Sequence, residues 1–264
     1  MKKPAFMDRV HPTAIVDSAA EVAVDVEIGP YSVIGANVRV GKGTKIGSHV
    51  VIQGRTTFGE ENVIFPFASV GTIPQDLKYK GEASELLIGN RNTIREYVSL
   101  NPGTAGGGMV TRIGDQNLLM MQCHIAHDCI IGDRNVIANG ATLGGHVTIE
   151  DFVIVGGLVG IHQFVRLGTG AIIGAGSMVS KDVPPYCNAT GDRAKLHGLN
   201  LEGLKRRGFD RSVIDIIHKA YRIVFQSKLR TEDALKKISA ELPGIPEIER
   251  FVSFISQSQR GVCR

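Results

Sequence analysis

The chain of 264 residues is 43% hydrophobic, enough for a real core in one large domain or two modest ones. With 32 Gly, no Trp and only 6% aromatic residues it is lean for a sandwich or barrel, and it suits many small repeated turns. A formal charge of +4 is too mild to argue for nucleic acid and fits an acidic partner such as a nucleotide or an acidic carrier protein.

At the N-terminus Lys2 and Lys3 could open a leader peptide, but Pro4, Asp8, Arg9 and His11 interrupt the apolar run that a leader requires. No apolar run approaches the roughly 18 residues of a membrane span. Cys123, Cys129, Cys187 and Cys263 have no framework spacing, which predicts free thiols in a reducing compartment. The expectation is a soluble, cytoplasmic chain.

From Val10 the chain repeats. Counting by six lands on Val16, Val22, Ile28, Ile34, Val40, Ile46, Ile52, Phe58, Ile64 and Val70, all apolar. The count resumes at Ile88, Ile94 and Leu100, and again from Ile113 through Ile125, Leu143 and Ile161 to Val179. Six is not a helical period, and simple strand alternation would not mark every sixth residue. A turn every six residues is the signature of a parallel β-helix, with three hexads to a coil. The prediction is an all-β solenoid over 1–185, interrupted by loops at 72–87 and 102–112, the second of which contains Gly106-Gly107-Gly108.

The repeat stops near Val183-Pro184-Pro185, and 186–264 is expected to hold a linker and a small α-helical domain. Asp210 is placed to cap a helix carrying Val213, Ile214, Ile217, Tyr221 and Val224. Thr231 opens a second helix, and Pro246 begins a third carrying Ile248, Phe251, Val252 and Phe254.

In an 18-residue coil, positions 18 apart sit one above the other. The hexads beginning at Ile125, Leu143 and Ile161 therefore share one side of the prism and bring His127, His146 and His162 into one column. Asp128 falls beneath His146, and His127 falls beneath Gly145 and, two coils on, Gln163. Asp128 stands beside His127 and can orient its imidazole, which makes the pair a candidate general base at neutral pH.

Four segments carry a more specific resemblance: Ile73 to Tyr79, His124 to Asp128, Ile161 to Phe164, and Asn200 to Phe209. With the hexads and the helical C-terminus, they make the chain resemble the UDP-N-acetylglucosamine 3-O-acyltransferases over nearly its whole length. That resemblance implies left-handed coils, a homotrimer with clefts between subunits, and the first step of lipid A biosynthesis. An (R)-3-hydroxyacyl group would pass from acyl carrier protein to the sugar 3-hydroxyl of UDP-N-acetylglucosamine. His127 would take the hydroxyl proton, Asp128 would hold its tautomer, and the Gly145 N–H would meet the oxyanion.

The resemblance also implies substrate contacts from Gln75, Asp76, Lys78, His124, His146, His162, Gln163, Asn200, Glu202, Arg206 and Arg207, the cations suiting a diphosphate. Ala175 and Arg193 match the positions that set acyl length. Neither a cofactor nor a metal is expected. A zinc hydratase built on β-helix histidines is the main rival from another class, and it leaves the four segments unexplained. The later N-acyltransferase of the same lipid is a nearer rival; it carries a uridine-binding domain ahead of its repeat, whereas the repeat here begins by Val10.

Overall fold

A computed structural model describes residues 9–264; Lys2, Lys3, Pro4 and Asp8, weighed above as part of a leader, lie outside the described residues. Each hexad contributes one short strand, beginning with Ile15–Val16, Glu21–Val22 and Glu27–Ile28. Successive strands go to successive faces of a triangular prism, so the three sheets hold nine, eight and ten strands. Within a face, each strand pairs parallel with the one a full coil later, as in Ile15 with Val33 and His124 with Thr142. The solenoid is a left-handed parallel β-helix.

The six-residue period places one apolar side chain per hexad on the prism axis, and from Ile28 to Val179 each of these is at most 3% exposed. β-branched side chains suit this setting because they pack well on a pleated surface. Val10, Val16 and Val22 are less covered, because among the described residues no coil precedes theirs.

The prism has three edges. At the edge joining the first face to the second, Asp128, His146 and Phe164 all adopt left-handed backbone, with φ of 59°, 61° and 65°. A non-glycine residue pays for that conformation, so repeated use at one position of successive coils marks a turn imposed by the fold.

Both excursions leave from this same edge. The first runs between the strands Ser69–Val70 and Glu85–Ile88, and the second between Ser99–Leu100 and Val110–Ile113. They are shorter than expected at their C-terminal ends. Leu86 and Ile88 point inward while Glu85–Ile88 pairs along Arg55–Phe58, and Val110–Ile113 repeats that arrangement one coil on.

The third face continues past residue 185, where a linker was expected. Cys187–Thr190 adds in parallel to Ile172–Ile173, and Lys195–Leu199 folds back antiparallel on it. Four helices follow: α1 Leu201–Arg206, α2 Arg211–Phe225, α3 Thr231–Glu241 and α4 Pro246–Ser256. Asp210 stands at the N-cap of α2 with extended backbone but makes no side-chain capping bond. α3 opens at Thr231 as expected, with Arg230 at its N-cap.

The helices bury Ile217, Val224, Ile248 and Phe251 against one another and dock on the C-terminal coils. Arg166 lies over the Phe254 ring at 4.4 Å, and Arg250 Nη1 donates to Thr169 Oγ1 at 2.9 Å. All four cysteines are buried free thiols, and burial pushes Cys123 and Cys129 up to about 12. Among the described residues no helix is long and apolar enough to cross a membrane.

Candidate active site

The strand His124–Ile125 belongs to the first face, and the chain turns at Ala126 to Asp128 before entering the second. His127 Nδ1 lies 2.8 Å from Asp128 Oδ2, and the Asp128 carboxyl is wholly out of water. A carboxylate only accepts, so His127 Nδ1 is the donor in this bond. The His127 side chain keeps 15% exposure.

One coil on, Gly145 packs on this ring. A Cβ there would stand 2.5 Å from His127 Cε1 and 2.7 Å from Nε2. The Gly145 carbonyl accepts from the Phe164 N–H at 3.1 Å, and the His146 N–H donates to the His127 carbonyl at 3.0 Å. The His146 ring meets His127 edge-on, with centroids 5.1 Å apart, and stacks on Phe164 at 4.3 Å and 5°.

His146 Nε2 is 4.0 Å from Asp128 Oδ2, too far for a hydrogen bond. Burial holds the His146 pKa below the ordinary histidine range, with Asp128 pulling the other way. His124 shares a 2.7 Å hydrogen bond with Ser99 Oγ, and its pKa is lowered by burial and then by His127. Burial therefore disfavours the charged form of both imidazoles beside the dyad.

Gln75, Asp76 and Lys78 sit in the first excursion on the same edge. Asp76 is close enough to favour protonated His146, and its Oδ1 accepts the Lys78 N–H at 3.0 Å. Asn101 Nδ2 ties down the base of that loop through the Thr72 and Ile73 carbonyls. His162 and Gln163 lie exposed on the edge beyond His146, where the His162 ring donates to the Gln163 carbonyl at 3.1 Å.

The remaining expected contacts are elsewhere in a single chain. Asn200 caps α1 by accepting the Gly203 N–H and donates to the Gly170 carbonyl, which places it on the edge between the second and third faces. Arg207 lies on that edge too, over Phe152 at 4.3 Å and Phe209 at 5.0 Å. Its Nη1 is buried without an acceptor, and burial lowers its pKa. Glu202 and Arg206 are exposed beside it, Glu202 contacting Lys205 at 3.5 Å. Ala175 and Arg193 are exposed on the third edge. The described chain therefore distributes the expected site residues over three edges and gathers only the histidines, Asp128, Gly145, Gln163 and the first loop on one.

Three residues absent from the sequence reading contact this cluster: Ser99, Thr104 and Thr111. Thr104 lies inside an excursion that breaks the 18-residue phase, so register counting has no purchase on it, and Thr111 sits in the strand that follows. Ser99 was within reach, because it follows the Ile94 hexad in phase with His124 once the second loop is excised. As possible metal ligands, His127, Asp128 and His146 offer atoms all within 4.8 Å of one another. Asp128 Oδ2 already receives two hydrogen bonds, which competes with such a role.

Residues 182–263 match the family profile described as UDP N-acetylglucosamine O-acyltransferase, domain 2, and residues 25–54 and 111–145 match the bacterial transferase hexapeptide profile. The acyl-(acyl-carrier-protein)-UDP-N-acetylglucosamine O-acyltransferases of Myxococcus xanthus and Thermodesulfovibrio yellowstonii are 54% and 52% identical over 98% of this chain and 100% of their own lengths. The structure of LpxA from Acinetobacter baumannii superposes with a TM-score of 0.95 at 48% identity, covering 97% of this chain and 100% of that one. With identity above 50% over the full length of both curated relatives and a near-complete structural superposition, the chain belongs to the acyl-(acyl-carrier-protein)-UDP-N-acetylglucosamine O-acyltransferase family.

Proposed function

We propose that this chain transfers an (R)-3-hydroxyacyl group from acyl carrier protein to the 3-hydroxyl of UDP-N-acetylglucosamine, the first step of lipid A biosynthesis, in the cytoplasm and as a homotrimer. The observation that carries the chemistry is the 2.8 Å bond from His127 Nδ1 to a fully buried Asp128, which leaves Nε2 as a fixed base at an open edge.

His127 Nε2 accepts the proton of the sugar 3-hydroxyl as its oxygen attacks the thioester carbonyl. Asp128 stabilises the imidazolium that forms. The Gly145 N–H faces the carbonyl oxygen as it gains charge. The C–S bond then breaks, and the carrier thiolate leaves with the proton returned by His127. Burial disfavours positive charge on His124 and His146, which lessens repulsion of the imidazolium.

Gln75, Asp76, Lys78, His124, His146, His162 and Gln163 would hold sugar and acyl groups along the His127 edge. Asn200, Glu202, Arg206 and Arg207 would bind the nucleotide from the second edge of a neighbouring subunit, and Ala175 and Arg193 would close the far end of the acyl groove. The separation of these sets in a single chain supports a site completed between subunits. Mass spectrometry of UDP-N-acetylglucosamine, and of its 3-amino analogue, incubated with carriers bearing a series of 3-hydroxyacyl chains tests the reading; no acylated sugar from any carrier would overturn it.

A second reading, a zinc centre on His127, Asp128 and His146, is favoured only by the proximity of their ligand atoms. Stoichiometric zinc in purified active protein, lost together with activity on chelation, would replace the general-base route with it.

A further inference from the structure

Thr104 lies in the second excursion, 24 positions ahead of Asp128, yet it clasps that carboxylate with two groups. Its backbone N–H donates to Oδ1 at 2.9 Å and its hydroxyl to Oδ2 at 2.6 Å. Oδ2 is the oxygen that also receives the His127 ring N–H. Thr104 is 3% exposed, so water does not compete for these bonds. On the other side Thr111 Oγ1 accepts the Asp128 N–H at 2.8 Å.

Gly107 closes the clasp sterically. A Cβ at that position would fall on the Asp128 carboxyl group, although the Gly107 backbone itself is not in the left-handed region. The first excursion braces the second, because Glu82 Oε1 accepts the Ala105 N–H at 3.0 Å.

A carboxylate held only by its own side-chain torsions swings broadly about the Cβ–Cγ bond, and its imidazole partner swings with it. Charge-assisted bonds to both oxygens, with no space left beside them, select one orientation. We propose that Thr104 is a positioning residue for acyl transfer: it fixes the plane of Asp128, and through it the His127 ring, with Gly107 as the steric stop. The proposal rests on the general-base reading of His127. Thr104 bonds no residue assigned above to the sugar, nucleotide or acyl chain, so its effect falls on kcat and not on KM.

The test compares Thr104→Val and Thr104→Ser with wild type, alone and in an Asp128→Ala background. Loss of a hydrogen bond to a charged group predicts a kcat lower by about 10- to 100-fold for Thr104→Val, with KM for the UDP-sugar within about twofold and most of the rate restored by Thr104→Ser. Without the Asp128 carboxylate the same substitution should cost less than about twofold, because the two residues act as one unit.

Gly107→Ala provides a second route if Thr104→Val folds poorly: it should lower kcat in wild type and much less in Asp128→Ala, where the space opens. Nitrogen NMR of labelled histidine should show His127 protonated at Nδ1 in wild type and a mixture of tautomers in Thr104→Val. A Thr104→Val enzyme keeping more than about half its kcat, or losing as much in Asp128→Ala as in wild type, overturns the role of Thr104. If His127→Ala is inactive in the same assay, only the clasp is lost; if His127→Ala is active, the general-base reading itself falls.

Discussion

Gly145 lies against the His127 imidazole so closely that a Cβ at 145 would stand 2.5 Å from Cε1. The Gly145 backbone is not in the left-handed region, so alanine there meets the ring and not a torsional barrier. Gly145→Ala should displace His127 and lower kcat by about 100-fold, the usual cost of misplacing a catalytic group by about 1 Å. A melting temperature close to wild type would separate this effect from unfolding. Turnover near wild type would show that the ring position is not critical.

Replacing His127 with Ala removes the proposed base and leaves the proposed sugar contacts in place. General-base contributions are about 100- to 10,000-fold, so kcat should fall by at least that order while UDP-sugar affinity changes a few-fold. His127→Asn should be nearly as inactive, since it cannot carry the proton. Asp128→Asn should cost less, because it disturbs orientation without deleting the base. Retention of more than about a tenth of the rate in His127→Ala would move the base to His124 or His146.

The separation of His127 from Arg207 on different edges predicts complementation between subunits. Asn200 and Arg207 pack on the second edge, at Gly170 and Phe152, while His127 turns at the first. A His127→Ala chain and an Arg206→Ala/Arg207→Ala chain should each be inactive alone. Co-expressed and purified as mixed oligomers, they should regain measurable turnover, because some clefts receive an intact set from each side. Mixed oligomers as inactive as either parent would place the whole site within one subunit.

An acidic carrier should be steered to the basic face of α2. Lys219 is paired with Glu241 at 2.8 Å, which leaves Arg211 and Arg222 as the more available cations there among the described residues. Charge reversal at Arg211 and Arg222 should raise KM for the acyl carrier, more at low salt than at high salt, because surface charges are screened beyond about 10 Å at 0.1 M. An unchanged KM at low salt would shift docking towards Arg166 or Lys181.

The lowered pKa of His124 has a consequence for stability. Burial penalises its charged form in the folded state, so below the ordinary histidine value of about 6.5 the unfolded chain binds the proton more readily. The contribution is complete above that value and is lost as pH falls towards the folded pKa. Thermal melts should therefore show a lower melting temperature at about pH 5 than at about pH 7.5, and His124→Asn should flatten part of that slope. An identical slope in the variant would assign the effect to other groups, His146 first among them.

The amino-acid sequence by itself determined the solenoid and the column of histidines. A six-residue apolar period has one solution that buries every marked residue, and from Ile28 to Val179 each is on the axis. The same phase carried His127 under Gly145 and Asp128 under His146, because neighbours along a parallel face differ by one coil, as His124 and Thr142 do.

Tertiary structure decided what phase counting could not reach. Thr104 reaches Asp128 from a loop inserted between coils, and Asn200 spends its side chain on Gly203 and Gly170 at another edge. The continuation of the third face through Cys187–Thr190 and Lys195–Leu199 was equally hidden, since those strands abandon the hexad pattern. A periodic segment can only fold with its own repeat, so local sequence suffices for it. An inserted loop or a folded-back C-terminus is placed by contacts it makes with distant residues, and those exist only once the coils beneath them have formed.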